Sequence, residues 1–161
     1  MYLPFDRLPD DSRVWIYTTN RYLSDEEVIA IEQDLSAFLT HWTAHQQALE
    51  ASCLIPYNNF IVIGLNENKN SASGCSIDAS VHFLKQLEKK FKLDLFDRML
   101  ITYKKDNQIK HLALHEFKRL AKQGEFSKST TVFNNLVQTK KDFLSNWETL
   151  AEFSWHNSLF K

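Results

Sequence analysis

The sequence predicts a single α+β domain, residues 1–161, with a mostly antiparallel sheet and helices on one face. Three observations support this class. Apolar residues alternate between short runs typical of strands and stripes typical of amphipathic helices. Glycine and proline number only three each, so few turns are forced. Aromatic residues make up 13% of the chain, which indicates a bulky core or an aromatic-lined cleft.

The chain begins with a predicted strand followed by a helix. Residues 13–19 are rich in β-branched and aromatic side chains and predict the strand. Ser24 and Glu27 have the spacing of a capping box, so a helix is expected to begin after Ser24. Its apolar stripe is Val28, Ile31, Leu35, Phe38 and Trp42.

Two more strands, at 49–56 and 59–66, are predicted on either side of a turn at Tyr57–Asn59. The second is apolar from Phe60 to Leu65, as expected for a central strand covered on both faces. A short polar loop then leads into a second amphipathic helix. The apolar stripe of this helix is Ile77, Val81, Leu84, Leu87 and Phe91.

The last part of the chain predicts a hairpin from 98–103 and 109–112, then a helix over 115–123 that ends at Gly124. Residues 131–147 predict one helix or two short ones. The aromatic tail, with Phe153, Trp155 and Phe160, is interpreted as core cover. The order βαββαβ with extra C-terminal helices is that of the ferredoxin-like plait, which is the candidate topology within the α+β class.

Charge is distributed unevenly along the chain. Residues 1–50 carry nine acidic and three basic side chains, whereas residues 51–161 carry eleven acidic and sixteen basic ones. The two halves are expected to neutralise each other in the fold. No basic block is long enough for a nucleic-acid arm, and the lysines of the second helix lie opposite its apolar stripe. We therefore expect no nucleic-acid partner.

Composition also bears on location. Cys53 and Cys75 are too few for a disulfide framework and form no C-x-x-C pair. The first residues lack the charged-then-apolar order of a signal peptide. No apolar run approaches the roughly 20 residues of a membrane span. The sequence thus predicts a cytoplasmic protein with no membrane partner.

The most informative segment is the loop Ser73–Asp78, which lies between the apolar strand and the second helix. Backbone N–H groups at such a junction are unpaired and can hold an anion. Ser76 is the predicted N-cap. The carboxylate of Asp78, two residues later, would already occupy part of the positive field at the helix N-terminus. The predicted binding residues are Ser73, Gly74, Ser76 and Asp78, with Trp42, His45 and Arg98 as lining. This is the basis for an accessory or small-ligand-binding protein whose ligand is a small anion and whose cofactor is unknown.

Cys75 supports an alternative function. A cysteine at a helix N-terminus is in the field that favours thiolate, so Cys75 is the candidate nucleophile of a cysteine-dependent hydrolase or transferase. Such an enzyme also needs a base, and His82, His45 or His41 could supply one only through tertiary contact. The structural alternative is a small side chain packed where helix meets strand.

The spacing of two histidine pairs suggests a metal site, but the other ligands that such a site needs are missing. His41 and His45 are four residues apart, as are His111 and His115. A zinc site needs three or four ligands, and no zincin glutamate follows His41. His111 falls on a predicted strand, which does not align it with His115. No metal site is assigned.

Several segments together resemble one family: residues 13–17, 42–45, 73–78, 96–98, 133–137 and 154–156. They are similar to small Bacteroidetes proteins that often carry the automatic label ABC transporter ATPase. The likeness extends over nearly the whole chain and implies no particular activity.

The ATPase label can be tested against the glycines. A Walker A loop has the pattern G-x-x-x-x-G-K-[ST], and Gly64, Gly74 and Gly124 do not have that spacing. Without the glycine loop and its lysine, the β- and γ-phosphates have no cradle. The sequence therefore predicts that the protein is not a P-loop ATPase.

A third alternative for the function is a homodimeric interaction module that buries the aromatic residues of the tail.

Overall fold

Two antiparallel sheets and a small two-stranded ribbon organise the chain, as described for all residues 1–161 by a computed structural model. Helix makes up 40% of the residues and strand 26%, which confirms the predicted α+β class. The strands are β1 (Arg13–Thr18), β2 (Thr43–Ala44), β3 (Gln47–Ala48), β4 (Glu50–Leu54), β5 (Phe60–Asn66), β6 (Leu100–Lys105), β7 (Gln108–Ala113), β8 (Thr131–Phe133) and β9 (Glu148–Leu150). The helices are α1 (Asp25–Thr40), α2 (Gly74–Phe91), α3 (Leu114–Lys122) and α4 (Lys140–Asn146).

The first sheet has the order β1–β5–β4, and β5 runs antiparallel to both neighbours. Every residue of β5 is buried, as its continuous apolar sequence predicts. Side chains alternate between its two faces. Ile61, Ile63 and Leu65 pack against α1 and α2, whereas Phe60 and Val62 join a separate aromatic cluster on the other side. This sheet is therefore covered on both faces.

The ferredoxin-like plait is only half present. In β1–α1–β4, two parallel strands are separated by β5, which is the split arrangement of the plait. The fourth strand is missing from this sheet, because β6 pairs in the second sheet and the free edge of β1 is taken by the C-terminal half. Arg13 forms a bridge with Thr139, and the Val14 N–H donates to the carbonyl of Gln138 at 2.9 Å.

Helices also lie on both faces of the first sheet, which corrects the expectation of one face. The two long helices cover one side. On the other side, Phe143 of α4 joins Trp147, Phe133 and Phe5 over the centre of β5. On the same face, Gly64 allows Leu8 and Phe5 to approach the sheet closely, since a Cβ there would be only 2.7 Å from Leu8 Cδ1.

The start of α1 is as predicted. Ser24 Oγ accepts from the Glu27 N–H, and a Glu27 carboxylate oxygen accepts from the Ser24 N–H, both at 3.1 Å. Arg21 binds the same carboxylate through two hydrogen bonds, at 2.9 and 2.6 Å, and also donates to the Phe91 carbonyl at 2.6 Å. The hydrogen bonds from Arg21 lower the pKa of Glu27 to about 2. This network ties the beginning of α1 to the end of α2.

The second sheet has the order β7–β6–β8–β9, all antiparallel. It contains the predicted hairpin, β6 and β7, and the predicted helix, α3, follows that hairpin. Gly124 comes shortly after α3 and has a φ of +82°, as expected of a glycine that ends a helix.

The helical prediction for 131–147 is wrong at its start. Residues 131–133 form β8, because Val132 pairs with Tyr103 and fills the core of this sheet. Helix α4 begins only after Thr139, whose side chain accepts from the Asp142 N–H at 3.2 Å.

The tail is packed through residues other than those predicted. Phe153 is 74% exposed and Trp155 is 38% exposed, so neither covers the core. The buried residues are Ala151, His156 and Leu159 instead. Tail residues 151–153 and 155–160 form 3₁₀ helices. A 3₁₀ helix has three residues per turn, so the side chains that face the core differ from those expected.

None of the helices is both long and apolar enough to cross a membrane.

Candidate functional site

Helix α2 begins three residues earlier than the sequence suggested. The N-cap is Ser73 and not Ser76, and the two serines form a reciprocal capping box. Ser73 Oγ accepts from the Ser76 N–H at 3.1 Å, and Ser76 Oγ accepts from the Ser73 N–H at 2.8 Å. Ser76 stands where a capping box usually has Glu or Gln, so its hydroxyl satisfies a backbone group. Both hydroxyls are therefore engaged in the helix start.

The first turn of α2 carries no acidic residue. Asp78 is the fifth residue of the helix and is exposed, so it does not occupy the position expected of it. The backbone N–H groups of Gly74 and Cys75 have no acceptor within the protein. Both residues are exposed, and a Cβ placed on Gly74 would have no atom within 4 Å. An acidic side chain does contact the loop before the helix: the Glu67 carboxylate accepts a hydrogen bond from the Ala72 N–H at 3.0 Å.

The structure brings only one of the three predicted lining residues to this loop. Trp42 is 3% exposed and its Nε1 donates to the Ser76 carbonyl at 2.8 Å. Its ring packs edge-on against Trp15, so it belongs to the core. His45 is exposed in the turn between β2 and β3, and Arg98 is exposed before β6. Neither residue forms a hydrogen bond or ion pair with the loop.

The paired histidines do not share a helix face. His41 ends α1, and His45 lies beyond it with a φ of 51°. His111 is on β7 and His115 is on α3. No group of three or more His, Cys, Asp or Glu side chains is arranged to hold a metal ion.

The two cysteines differ in environment. Cys75 is exposed at the second residue of α2, whereas Cys53 is buried in the first sheet. Burial raises the pKa of the Cys53 thiol to about 11. The base that a Cys75 nucleophile requires is not in contact: the side-chain hydrogen bond of His82 is with Gln86, at 3.3 Å. Cys75 is thus accessible without being paired to an imidazole.

Iodoacetamide is expected to modify Cys75 on the order of 100-fold faster than Cys53 at neutral pH. A pKa near 11 leaves very little of Cys53 as the reactive thiolate at neutral pH, and burial also shields Cys53 from the reagent, whereas Cys75 is exposed. Peptide mapping by mass spectrometry after timed quenching measures both rates. The Cys75→Ser variant should retain only the slow reaction, and equal rates for the two cysteines would contradict their placement.

Sequence reasoning missed a polar cluster at the junction of the two sheets. The Tyr57 hydroxyl donates to Glu148 Oε1. Lys104 contacts both residues, with Nζ 3.2 Å from the Tyr57 hydroxyl oxygen and 3.2 Å from Glu148 Oε2. Nearby, His111 is held between Thr102 Oγ1 at 3.0 Å and Asn59 Oδ1 at 2.8 Å. These residues come from the turn before β5 and from β6, β7 and β9. The cluster therefore joins the first sheet to the second.

Two groups in this cluster have pKa values shifted in the direction that burial dictates. Burial raises the pKa of Tyr57 and lowers the pKa of His111. Tyr57 also has a φ of 58°, in the left-handed region that a tyrosine rarely adopts. The one sequence signal was the Tyr57–Asn59 turn, because asparagine tolerates this backbone conformation. The partners of this turn, Lys104, His111 and Glu148, are far away in the chain, so no sequence motif indicated the cluster.

Two concave surfaces lie elsewhere. A polar groove of about 570 Å³ runs between the turn after β6 and residues 124–131. A second pocket, of about 420 Å³, is lined by Phe5, Asp6, Leu54, Lys140 and Leu144. Lys140 is unusual among the lysines of this chain because only 6% of it is exposed, whereas the helical pattern gave no reason to expect burial.

Comparison with known proteins yields no relative from which a role could be transferred. No protein-family model, curated protein or solved structure matches the chain. The family resemblance therefore stays a prediction, and the function has to be argued from the geometry of the chain itself.

Proposed function

We propose that this chain is a cytoplasmic accessory protein that binds a small anionic ligand at the N-terminus of α2. The observation that carries the proposal is the pair of free, exposed N–H groups of Gly74 and Cys75 in a first turn without acids. Backbone donors of this kind bind carboxylate, phosphate or sulfate oxygens. Ser73 and Ser76, two of the other residues predicted for binding, hold the amides in place through the capping box.

The contrast with α1 supports this choice of helix. The first turn of α1 contains Asp25, Glu26 and Glu27, which supply the negative charge that its dipole favours. Helix α2 has 18 residues and a partial positive charge at its N-terminus with no acid in its first turn. An external anion can supply the missing charge. With two amides and no cationic side chain in contact, we expect an affinity in roughly the millimolar range.

The proposal is tested by titrating inorganic phosphate into isotope-labelled protein and following backbone amide shifts by NMR. The Gly74 and Cys75 amides should shift and saturate, whereas the amides of Asp25 and Glu26 should not. The Cys75→Asp variant places an acid at the second helical position, which should stabilise α2 by about 0.3–1 kcal/mol and abolish the response. The matched Cys75→Ser variant should respond like the parent.

Two outcomes would contradict the proposal. One is an equal phosphate response at both helix N-termini, which would indicate non-specific ion binding. The other is a response that survives Cys75→Asp. The cysteine-dependent alternative makes a different prediction: Cys75→Ser would abolish turnover or adduct formation with an electrophilic substrate, regardless of the phosphate response.

A further inference from the structure

Lys140, the first residue of α4, is a buried cation. Only 6% of the residue is exposed, and its Nζ donates to the Leu8 carbonyl at 2.7 Å and to the Asp6 carbonyl at 3.1 Å. An ammonium group has three protons to donate. These two carbonyls therefore use two donors and leave the third without a protein partner.

The charge of Lys140 also lacks a counter-ion. Six ion pairs are present in the structure, and none of them includes Lys140. Besides the two carbonyls, the ring of Phe5 faces the ammonium, with its centroid 5.7 Å from Nζ. A buried charge without an opposite charge is costly, so a site of this kind favours an incoming anion.

The pocket beside Lys140 is mainly apolar. Phe5, Leu54 and Leu144 contribute its hydrophobic lining, and its volume of about 420 Å³ is sufficient for a small organic molecule. Leu144 is 63% exposed, so its side chain presents apolar surface to a molecule that enters the pocket. Asp6 also lines the pocket and is exposed, which brings one negative charge to its rim.

We propose that this pocket binds an apolar monocarboxylate. The carboxylate lies beside the Lys140 ammonium and accepts its third proton in a hydrogen bond, while the hydrocarbon body contacts Phe5, Leu54 and Leu144. The negative charge of Asp6 disfavours dianions such as phosphate, the probe chosen for the N-terminus of α2. The proposal does not depend on the function assigned to α2.

Isothermal titration calorimetry with three eight-carbon probes tests the charge requirement. Octanoate should bind, octan-1-ol should bind at least tenfold more weakly, and octylamine, which is cationic at neutral pH, should not bind. Equal binding of octanoate and octan-1-ol would overturn the role of Lys140. Absence of octanoate binding at millimolar concentration would overturn the site itself.

Variants at exposed positions test the location without disturbing the fold. Leu144→Asp should weaken octanoate binding at least tenfold, whereas Leu136→Asp, at a residue that is 68% exposed and outside the pocket, should leave it unchanged. Asp6→Asn should tighten binding. Similar losses in the two leucine variants, or no effect of Leu144→Asp, would contradict the assignment. Direct replacement of Lys140 is avoided because it would leave two carbonyls without their donor.

Discussion

The Phe117→Ala variant is expected to lower the free energy of unfolding by about 3–5 kcal/mol. Phe117 is fully buried in α3. Its ring stacks on Phe126 with centroids 4.7 Å apart and meets Tyr103 edge-on at 5.7 Å and Phe160 at 6.2 Å. Truncation to alanine removes these contacts and leaves a cavity that the second sheet cannot refill without moving. Urea denaturation followed by circular dichroism measures the loss.

Phe153→Ala is the matched control, because the same truncation at a side chain that is 74% exposed should change stability by no more than about 0.5 kcal/mol. A loss comparable to that of Phe117→Ala would contradict the exposed position of Phe153. The homodimer alternative assigns Phe153 and Trp155 to an interface. It predicts that Phe153→Ala changes the sedimentation coefficient at fixed concentration, even where the unfolding curve of the monomer is unaffected.

Acidification from pH 6.5 to pH 4 is expected to cost about 3 kcal/mol of stability through His156 alone. His156 is 1% exposed, and burial lowers its pKa to about 4, compared with an ordinary value of about 6.5. Its Nδ1 is 2.7 Å from Ser154 Oγ. Because the unfolded state takes up the proton first, the contribution is fully present above pH 6.5. It is lost progressively as the pH falls through the window down to about 4.

Unfolding free energies at pH 7, 5.5 and 4 measure this dependence. His156→Gln should flatten the slope, whereas His41→Gln, at an exposed histidine, should keep it. A residual slope of the same sign is expected in His156→Gln, since burial also lowers the pKa of His111. Glu27 acts below this window, because its contribution is present above about pH 4.5 and is lost as the pH falls towards 2. Identical slopes in the parent and His156→Gln would contradict the prediction.

Elements with a local signature were predictable from the sequence. The capping box at Ser24 placed the start of α1, and the unbroken apolar run of β5 indicated a strand covered on both sides. The hairpin of β6 and β7 and the glycine after α3 were equally accessible. In each case, nearest neighbours in the chain determine the conformation.

Features that depend on distant residues were not predictable. Segment 131–133 is too short to show strand periodicity, and it becomes β8 because Tyr103 and Thr149 lie on either side of it. The β6 strand could not be assigned to a separate sheet without knowing that residues near 139 occupy the edge of β1. The 3₁₀ turns of the tail likewise changed which aromatic residues face inward.

The position of the loop before α2 was predictable, but its local structure was not. The loop before α2 was identified from its small and hydroxyl residues, yet the cap moved to Ser73 and the expected charge of Asp78 moved out of the first turn. Lys140 could not have been selected, because its carbonyl partners are at least 132 residues away in the chain. A lysine whose sequence neighbours are polar is expected to be exposed, and only the tertiary structure shows that Lys140 is buried.

The pairing of residues 138–139 with the edge of β1 has a consequence for synthesis on the ribosome. The first strand is made early, but its outer hydrogen-bonding groups stay unpaired until more than a hundred further residues have emerged. Phe60 and Val62 also remain uncovered until Phe143 and Trp147 arrive. An unpaired edge beside an uncovered apolar face is the condition under which nascent chains associate with each other. The N-terminal sheet of this protein therefore meets that condition for as long as the chain is incomplete.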